Sequence, residues 1–274
     1  MKHSKSVSVQ IGTWILKMET GTLACQAAGS VIITVGETMV FSGVTNTAKP
    51  REGIDFFPLQ VEYREKFYAA GKFPGGFFKR EARPSEREIL IARVTDRPIR
   101  PLFPNGYRND VQINNSLLSF DGENMPDAQS INAASAALHI SEIPFMGPIA
   151  AVRVGLLDGQ VVIEPTPEQV KNCRLDLIYA GTRDKMLMME GEAKEISEAE
   201  MIDAMKAGHA EVVKIIDAQH ELRSLLGLPP KQVVDNAEPS ALFTKALEIG
   251  GAALADALLI PGKQDRGAAK NQVM

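Results

Sequence analysis

Two adjacent phenylalanines, Phe77 and Phe78, are followed directly by two cations, Lys79 and Arg80. Aromatic rings stack on the bases of single-stranded nucleic acid at about 1 to 3 kcal/mol per base, while Lys and Arg neutralise its phosphates. This composition favours a contact with single-stranded nucleic acid that does not read base sequence, and Arg83 extends the cationic run. The alternative is that the two rings pin the loop to the core. The residue types alone leave both interpretations open.

Three arginines follow, two in the next predicted helix and one just past it. Arg93 and Arg97 are four residues apart and therefore share a helix face, and Arg100 lies just beyond the expected end of that helix. Each guanidinium offers a fork of donors that suits anionic oxygens, so the three are candidates for a phosphate or carboxylate site. The alternative is a solvated face on which they form salt bridges with the acids of the same helix, Asp96, Glu86 and Glu88.

Short catalytic motifs are not found in the sequence. It contains no GxxxxGK[ST] loop, no GxGxxG after a strand, no HExxH and no GxSxG. Carboxylates such as Glu62, Asp96 and Asp176 cannot be ranked as acid or base without geometry. Cys25 and Cys173 lie far apart and outside any CxxC, which predicts two buried, reduced thiols and neither a disulfide nor a zinc site.

Charge is segregated along the chain. The formal net charge is -4, yet residues 64–108 hold eleven Lys and Arg against five Asp and Glu. Such segregation favours an anionic partner. The 274 residues, 45% of them hydrophobic, are enough for a globular core. Without an apolar run of signal-peptide or membrane-spanning type, we expect a soluble, cytoplasmic protein with no membrane partner.

The elements that must position these residues begin with predicted hairpins. The strands "SVIITV" and "MVFSGV" are joined by a short turn at Gly36-Glu37, and "AAVRVGLL" and "QVVIEP" flank Asp158-Gly159. The Asp-Gly pair tolerates the positive φ angles of a tight two-residue turn. A third pair, "LDLIYAG" and "KMLMMEG", brackets residues 182–184. The pattern predicts an α/β (α+β) fold with mainly antiparallel strand pairs, packed by helices.

Two candidate capping boxes, Ser85 with Glu88 and Ser197 with Glu200, predict the starts of two helices. Pro98 should end or bend the first. A third helix, "PDAQSINAASAALHI", is rich in Ala and Ser, which suggests close packing against a sheet. The second helix should bury a stripe of residues at three- and four-residue spacing, namely Met201, Met205, Gly208, Val212, Ile215, Gln219, Leu222 and Leu226. After Pro229, "PPKQVVDNAEPS" is typical of a linker, and a further helical element follows.

Four long blocks of the sequence carry a family resemblance: "DFFPLQVEYREKFYAAGKFPGGFFKREARPSEREILIARVTDRPIRPLFP", "SINAASAALHISEIPFMGPIAAVRVG", "LDLIYAGT" and "MLMMEGEAKEISEAEM". With these blocks the sequence resembles bacterial polynucleotide phosphorylase. The resemblance extends from about Gln10 to Arg266. Co-linear blocks of this length are far more specific than any short motif.

The resemblance implies phosphorolytic degradation of single-stranded RNA from its 3′ end, as in mRNA decay. Inorganic phosphate is the co-substrate, nucleoside diphosphates are released, and magnesium supports the reaction. The family enzyme joins two ribonuclease-PH-like domains through an all-helical domain, ends in two small RNA-binding domains and forms a homotrimer that joins RNA-degradation complexes. On this map, residues 1–230 are the first ribonuclease-PH-like domain, 231–239 a linker and 240–274 the beginning of the all-helical domain.

The resemblance also implies roles for the basic residues. It places Phe77, Phe78, Lys79 and Arg80 in a loop at the constriction of the central channel, with Arg83 counted among the RNA-binding residues. Arg93, Arg97 and Arg100 match positions that face the active site and hold RNA or phosphate. Two departures are that the loop reads FFKR where the family commonly has two arginines, and that Cys25 stands where an arginine is common.

The family's catalytic and metal-binding residues belong to the second ribonuclease-PH-like domain. We therefore expect no catalytic residue and no magnesium ligand in these 274 residues, and no turnover by this chain alone. The alternative is a stand-alone RNA-binding or ring-scaffold protein without turnover. A third reading, an independently active exoribonuclease, would require catalytic carboxylates that the sequence does not identify.

Overall fold

The computed structural model describes residues 4–77, 79–81, 83–231, 233 and 241–273. The chain divides into two compact units, Met1–Val234 and Asp235–Met274. The first unit contains ten strands and four α-helices among its described residues. The second contains two helices, α5 (Ala241–Leu258) and α6 (Lys263–Val273), which pack against each other.

Two sheets form the body of the first unit. The six-stranded sheet has the order β1-β2-β3-β4-β6-β5, and only its β5–β6 pair is parallel. The four-stranded sheet has the order β10-β9-β7-β8 and is antiparallel throughout. The strands are β1 (Lys5–Ile11), β2 (Trp14–Thr20), β3 (Gly29–Val35), β4 (Thr38–Asn46), β5 (Leu59–Glu65), β6 (Val111–Ser119), β7 (Ala150–Leu157), β8 (Gln160–Ile163), β9 (Leu175–Gly181) and β10 (Met186–Ala193).

These sheets confirm the predicted fold class of mainly antiparallel and mixed sheets packed by helices. The three predicted hairpins are the pairs β3–β4, β7–β8 and β9–β10. At the β7–β8 turn, Asp158 and Gly159 both have positive φ, 50° and 79°. This is the conformation that an Asp-Gly turn accommodates, because glycine has no Cβ to clash and aspartate tolerates the left-handed region.

Four helices pack on the sheets: α1 (Glu86–Ile99), α2 (Pro126–Ile140), α3 (Pro167–Asn172) and α4 (Glu198–Leu225). Helix α2 is buried from Pro126 to His139 and contacts strands of both sheets. Its Ala and Ser residues allow a close approach: a Cβ added to Gly29 of β3 would collide with the carbonyl oxygen of Ala137. The predicted packing of this helix against a sheet is therefore confirmed.

Helix α4 begins at the predicted capping box of Ser197 and Glu200. Most of its predicted stripe faces the core, with Gly208, Val212, Ile215, Gln219 and Leu222 buried and the two methionines partly buried. The last predicted member, Leu226, is partly buried but lies just beyond the end of the helix. The polar member of the stripe is hydrogen-bonded at both ends of its amide: Gln219 accepts from the Ser135 hydroxyl at 2.8 Å and donates to the Ile149 carbonyl at 2.7 Å. The helix ends at Leu225, shortly before Gly227, whose φ is 69°.

The cysteine prediction is half wrong. Cys173 is buried, as predicted, but Cys25 is exposed. Cys25 lies outside the sheet, in the connection between β2 and β3. Both thiols are free. No helix in the described part of the chain is long and apolar enough to cross a membrane.

A buried ionic network lies between α2 and the four-stranded sheet. Arg153 of β7 donates two hydrogen bonds to Asp176, at 2.7 and 2.5 Å, and one to Asp127 at 2.5 Å. The nearby Glu164 side chain accepts from the Arg153 backbone N–H at 3.0 Å. The pKa of Glu164 is raised to about 8, chiefly by burial and in part by the Asp127 carboxylate, whereas the backbone N–H and the charge of Arg153 act in the opposite direction.

Glu164→Gln should reduce the pH dependence of stability. The folded protein keeps Glu164 protonated between its ordinary pKa of 4.5 and about 8, whereas the unfolded chain ionises it. Stability is therefore lost as pH rises through this window, by about 1.4 kcal/mol per pH unit for this group. Glutamine resembles the protonated acid but does not ionise, so the variant should lack this loss of stability at higher pH. Urea unfolding followed by the fluorescence of Trp14, the only tryptophan, measures the difference. Parallel pH profiles for the two proteins would contradict the assignment.

Candidate nucleic-acid interface

The segment between β5 and α1 presents the predicted basic and aromatic residues. A short 3-10 helix, Phe67–Ala70, follows β5, and residues 71–85, here called the basic loop, lead to α1. Lys79, Arg80 and Arg83 are exposed, and Phe77 is 93% exposed. Phe78 lies outside the described residues. A ring as exposed as Phe77 does not pin the loop to the core, so the structure argues against that alternative for this residue.

A buried carboxylate joins the two ends of this segment. Glu88 of α1 accepts the Ser85 N–H at 2.6 Å, the Ser85 hydroxyl accepts the Glu88 N–H at 3.2 Å, and the predicted capping box is confirmed. The second Glu88 oxygen accepts the Glu65 N–H at the end of β5, at 2.9 Å. Although burial opposes ionisation, these N–H donors hold the pKa of Glu88 below its ordinary value. The start of α1 is thus fixed to the end of β5.

Glu81 tethers the basic loop to the same place. One Glu81 oxygen accepts the Phe67 N–H at 2.8 Å, and the other lies 2.5 Å from the Lys66 Nζ. The Lys66 ammonium and the Phe67 N–H hold the pKa of Glu81 below its ordinary value, so the tether is fully formed at neutral pH. Glu81 lies four residues from Phe77 along the chain, and its attachment therefore limits where the exposed ring can move.

The three predicted arginines lie at one end of α1 beside a cavity of about 590 Å³. All three are exposed, but their partners differ. Arg100 donates to Asp96 at 2.7 and 2.5 Å and to the Leu59 carbonyl at 3.1 Å. Arg97 lies 2.5 Å from the Glu190 carboxylate of β10.

Arg93 forms no salt bridge with any residue that the structure describes. The alternative of salt bridges within α1 therefore holds for Arg100 alone. Arg97 uses an acid from a distant strand, and Arg93 keeps its donors available. The three arginines share one cavity without being equivalent, and Arg93 is the member best placed to accept an anionic ligand.

Several residues of this region carry no local signal in the sequence. Glu190 is 93 positions from its partner Arg97, and nothing in its own neighbourhood marks it as a partner. Nothing in the sequence marks Glu81 and Lys66 as partners, because they come together only when the chain folds. An acid inside a strongly basic stretch was the available clue, because such a carboxylate usually has a local cationic partner.

No metal centre is formed by the described residues. Within residues 4–77, 79–81, 83–231, 233 and 241–273, no three His, Cys, Asp or Glu side chains come together as a metal site requires. We therefore derive no step through a metal ion for the described side chains.

Comparisons with known proteins agree with the resemblance in the sequence. Two family models match: domain 1 of the 3′ exoribonuclease family over residues 15–144, and domain 2 over residues 147–211. The polyribonucleotide nucleotidyltransferase of Thermomicrobium roseum is 50% identical over 256 residues, which are 93% of this chain and 32% of that protein. The protein of the same name from Geobacter sulfurreducens is 46% identical over 260 residues, 95% of this chain and 37% of that one.

The chain spans about a third of the length of the curated relatives that it matches. A solved structure, that of Rrp46 from rice (Oryza sativa), superposes with a TM-score of 0.61 over 78% of this chain and 96% of that one. Their sequence identity is 16%, so this likeness shows the fold alone. It supports a ribonuclease-PH-type fold for the first unit.

Glu81→Ala should loosen the basic loop without unfolding the protein. The change removes both contacts to the 3-10 helix and leaves the capping box intact. We expect trypsin to cleave after Lys79 and Arg80 several-fold faster than in the wild type, because proteolysis follows local opening. Glu86→Ala, an exposed acid in the first turn of α1, is the matched control. Equal cleavage rates in all three proteins would contradict the tether.

Proposed function

The chain belongs to the 3′ exoribonuclease family, and we propose that it serves the 3′-to-5′ phosphorolytic degradation of single-stranded RNA. In that reaction an oxygen of inorganic phosphate attacks the terminal phosphodiester phosphorus. The bond to the 3′ oxygen of the preceding nucleotide breaks, and a nucleoside diphosphate leaves. Within this process, we assign the present residues to guiding RNA and assign bond breaking to another domain of a polynucleotide phosphorylase.

The exposure of Phe77 beside exposed cations is the observation that carries this proposal. A phenyl ring that is 93% exposed gains little from the protein interior, so a partner that covers it would stabilise it. Bases of single-stranded RNA offer flat faces for stacking, and the neighbouring Lys79 and Arg80 meet the phosphates. The contact is indifferent to sequence because every base has a π-face. Such indifference suits an enzyme that degrades transcripts of any sequence.

The arginines of α1 would act at the phosphates in a ranked order. Arg93 has no described carboxylate partner and can bind an anion directly. Arg97 must exchange Glu190 for the ligand, and Arg100 must give up a bidentate contact with Asp96 and the Leu59 carbonyl. We therefore propose that Arg93 contributes most to holding RNA or phosphate, and Arg100 least.

The resemblance to the family implies further properties, and we include them in the same proposal. The first unit corresponds to the first ribonuclease-PH-like domain, and α5 and α6 to the beginning of an all-helical domain. Magnesium and inorganic phosphate take part in the reaction of the whole enzyme, with no catalytic residue supplied by this chain. The whole enzyme acts as a cytoplasmic homotrimer and joins RNA-degradation complexes. Three copies of the basic loop around one axis would multiply a weak, sequence-independent contact through avidity.

Phe77→Ala should weaken binding of single-stranded RNA about five- to a hundredfold, the equivalent of one stacked base. Homopolymers of different bases should lose affinity to a similar extent. Phe77→Tyr keeps a flat ring and should retain binding, whereas Phe77→Leu keeps apolar bulk without a ring and should not. Fluorescence anisotropy of labelled oligonucleotides at fixed salt measures all four proteins.

Arg80→Ala tests the contribution of positive charge in the same loop. Because one phosphate contact is lost, the variant should lower the slope of log affinity against log salt concentration by about one. Phe77→Ala should leave that slope unchanged. Lys206→Ala removes an exposed cation of α4 and is the control for net charge. RNA affinity that is the same in wild type, Phe77→Ala and Arg80→Ala would contradict the proposed role of the basic loop.

A further inference from the structure

A cavity of about 380 Å³ lies between the end of β5, the 3-10 helix and the basic loop. It is distinct from the cavity beside the three arginines, with which it shares no lining residue. Its volume is in the range of cavities that bind small organic ligands, about 300 to 1,000 Å³. We call it the β5–loop cavity.

The cations that line this cavity have hydrogen-bond donors available for a ligand. Four line it, Arg64, Lys66, Lys72 and Arg83, and only Lys66 forms a salt bridge in the part of the chain that the structure describes. Since each guanidinium or ammonium group carries several donors, three positively charged side chains remain available around one opening. An anionic group of a ligand would find partners there.

The acids of the cavity are already engaged. Glu65 accepts from the Tyr63 hydroxyl at 2.9 Å and lies 3.2 Å from the Arg87 guanidinium. Glu81 is held by Lys66 and by the Phe67 N–H, and Glu88 by two backbone N–H groups. These carboxylates are occupied by other donors, and none of them forms a salt bridge with Arg64, Lys72 or Arg83 among the described residues, although the nearby Arg64 charge helps to lower the pKa of Glu88.

One wall of the cavity is apolar. Phe67 is partly exposed, Phe120 is half-buried, and Leu117 and Ala69 lie buried behind them. Aromatic residues and available cations that line the same cavity match a ligand that has a flat ring at one end and negative charge at the other. Inorganic phosphate would satisfy only the cationic side, and an apolar molecule only the aromatic side.

We propose that the β5–loop cavity binds a nucleoside phosphate, with its base against Phe67 and Phe120 and its phosphate at Arg64, Lys72 and Arg83. The bound group is either one nucleotide of an RNA chain or a free nucleotide, and the chemistry of recognition is the same. In the first case the inference deepens the proposed function and rests on it. In the second case it stands independently.

The test is titration calorimetry of this chain with adenosine 5′-monophosphate. Ribose 5-phosphate and inorganic phosphate are the smaller probes. Adenosine 5′-monophosphate should bind most tightly, because only it contacts both walls. Arg64→Gln should weaken its binding about tenfold through the lost charge-assisted contact. Phe67→Leu should weaken it about fivefold while leaving the binding of ribose 5-phosphate unchanged.

Lys206→Gln removes one positive charge far from the lining residues in sequence and should change nothing. Trp14 fluorescence shows that each variant is folded. Failure of adenosine 5′-monophosphate to bind the folded wild type would overturn the proposal. So would binding that neither Arg64→Gln nor Phe67→Leu weakens, since the ligand would then lie elsewhere.

A competition experiment identifies the source of the nucleotide. Displacement of adenosine 5′-monophosphate by a single-stranded oligoribonucleotide, weakened by Arg64→Gln, supports a nucleotide of RNA as the occupant. Simultaneous binding of both ligands supports a free nucleotide. If RNA fails to bind the chain while adenosine 5′-monophosphate binds as described, the proposed function fails and the cavity assignment stands.

Discussion

The carboxylate of Glu88 fixes the start of α1 to the end of β5, and so fixes both ends of the segment that contains the 3-10 helix and the basic loop. It closes the first turn of α1 through Ser85 and accepts the last backbone N–H of β5. The segment with the exposed cations and the helix with the arginines are therefore both attached to β5, an edge strand of the six-stranded sheet. Within this frame Glu81 attaches the loop to Lys66 and to the Phe67 N–H.

Local signals in the sequence were sufficient for the elements that carry the site. A capping box depends on residues three apart, and a two-residue hairpin turn depends on its own two residues, so both could be predicted without knowledge of the fold. The stripe of α4 was also predicted, including the position of Gln219. What satisfies Gln219 could not be predicted, because Ser135 and Ile149 reach it only when α2 and β7 pack together.

The partners of the charged residues depend on the tertiary fold and were largely missed. Glu190 neutralises Arg97 across 93 positions, and Arg153 gathers Asp127 and Asp176 from two other elements. These contacts decide which cations remain available. In the part of the chain that the structure describes, Arg93, Arg64 and Arg83 form no salt bridge, whereas Arg97 and Arg100 form salt bridges with Glu190 and Asp96. The sequence predicted a positively charged stretch. In the folded chain, some of its cations form salt bridges with acids and others remain available. The available ones lie on and beside the basic loop.

The most direct test of the central claim measures nucleoside diphosphate release from single-stranded RNA by this purified chain, with inorganic phosphate and magnesium. A variant carrying Arg93→Glu and Arg97→Glu, purified in parallel, reveals any contaminating host enzyme. A chain that guides RNA without breaking it should bind the RNA and release no more product than this variant. Release by the wild type that the double substitution abolishes would contradict the claim, because these residues would then form part of an active site within the chain itself.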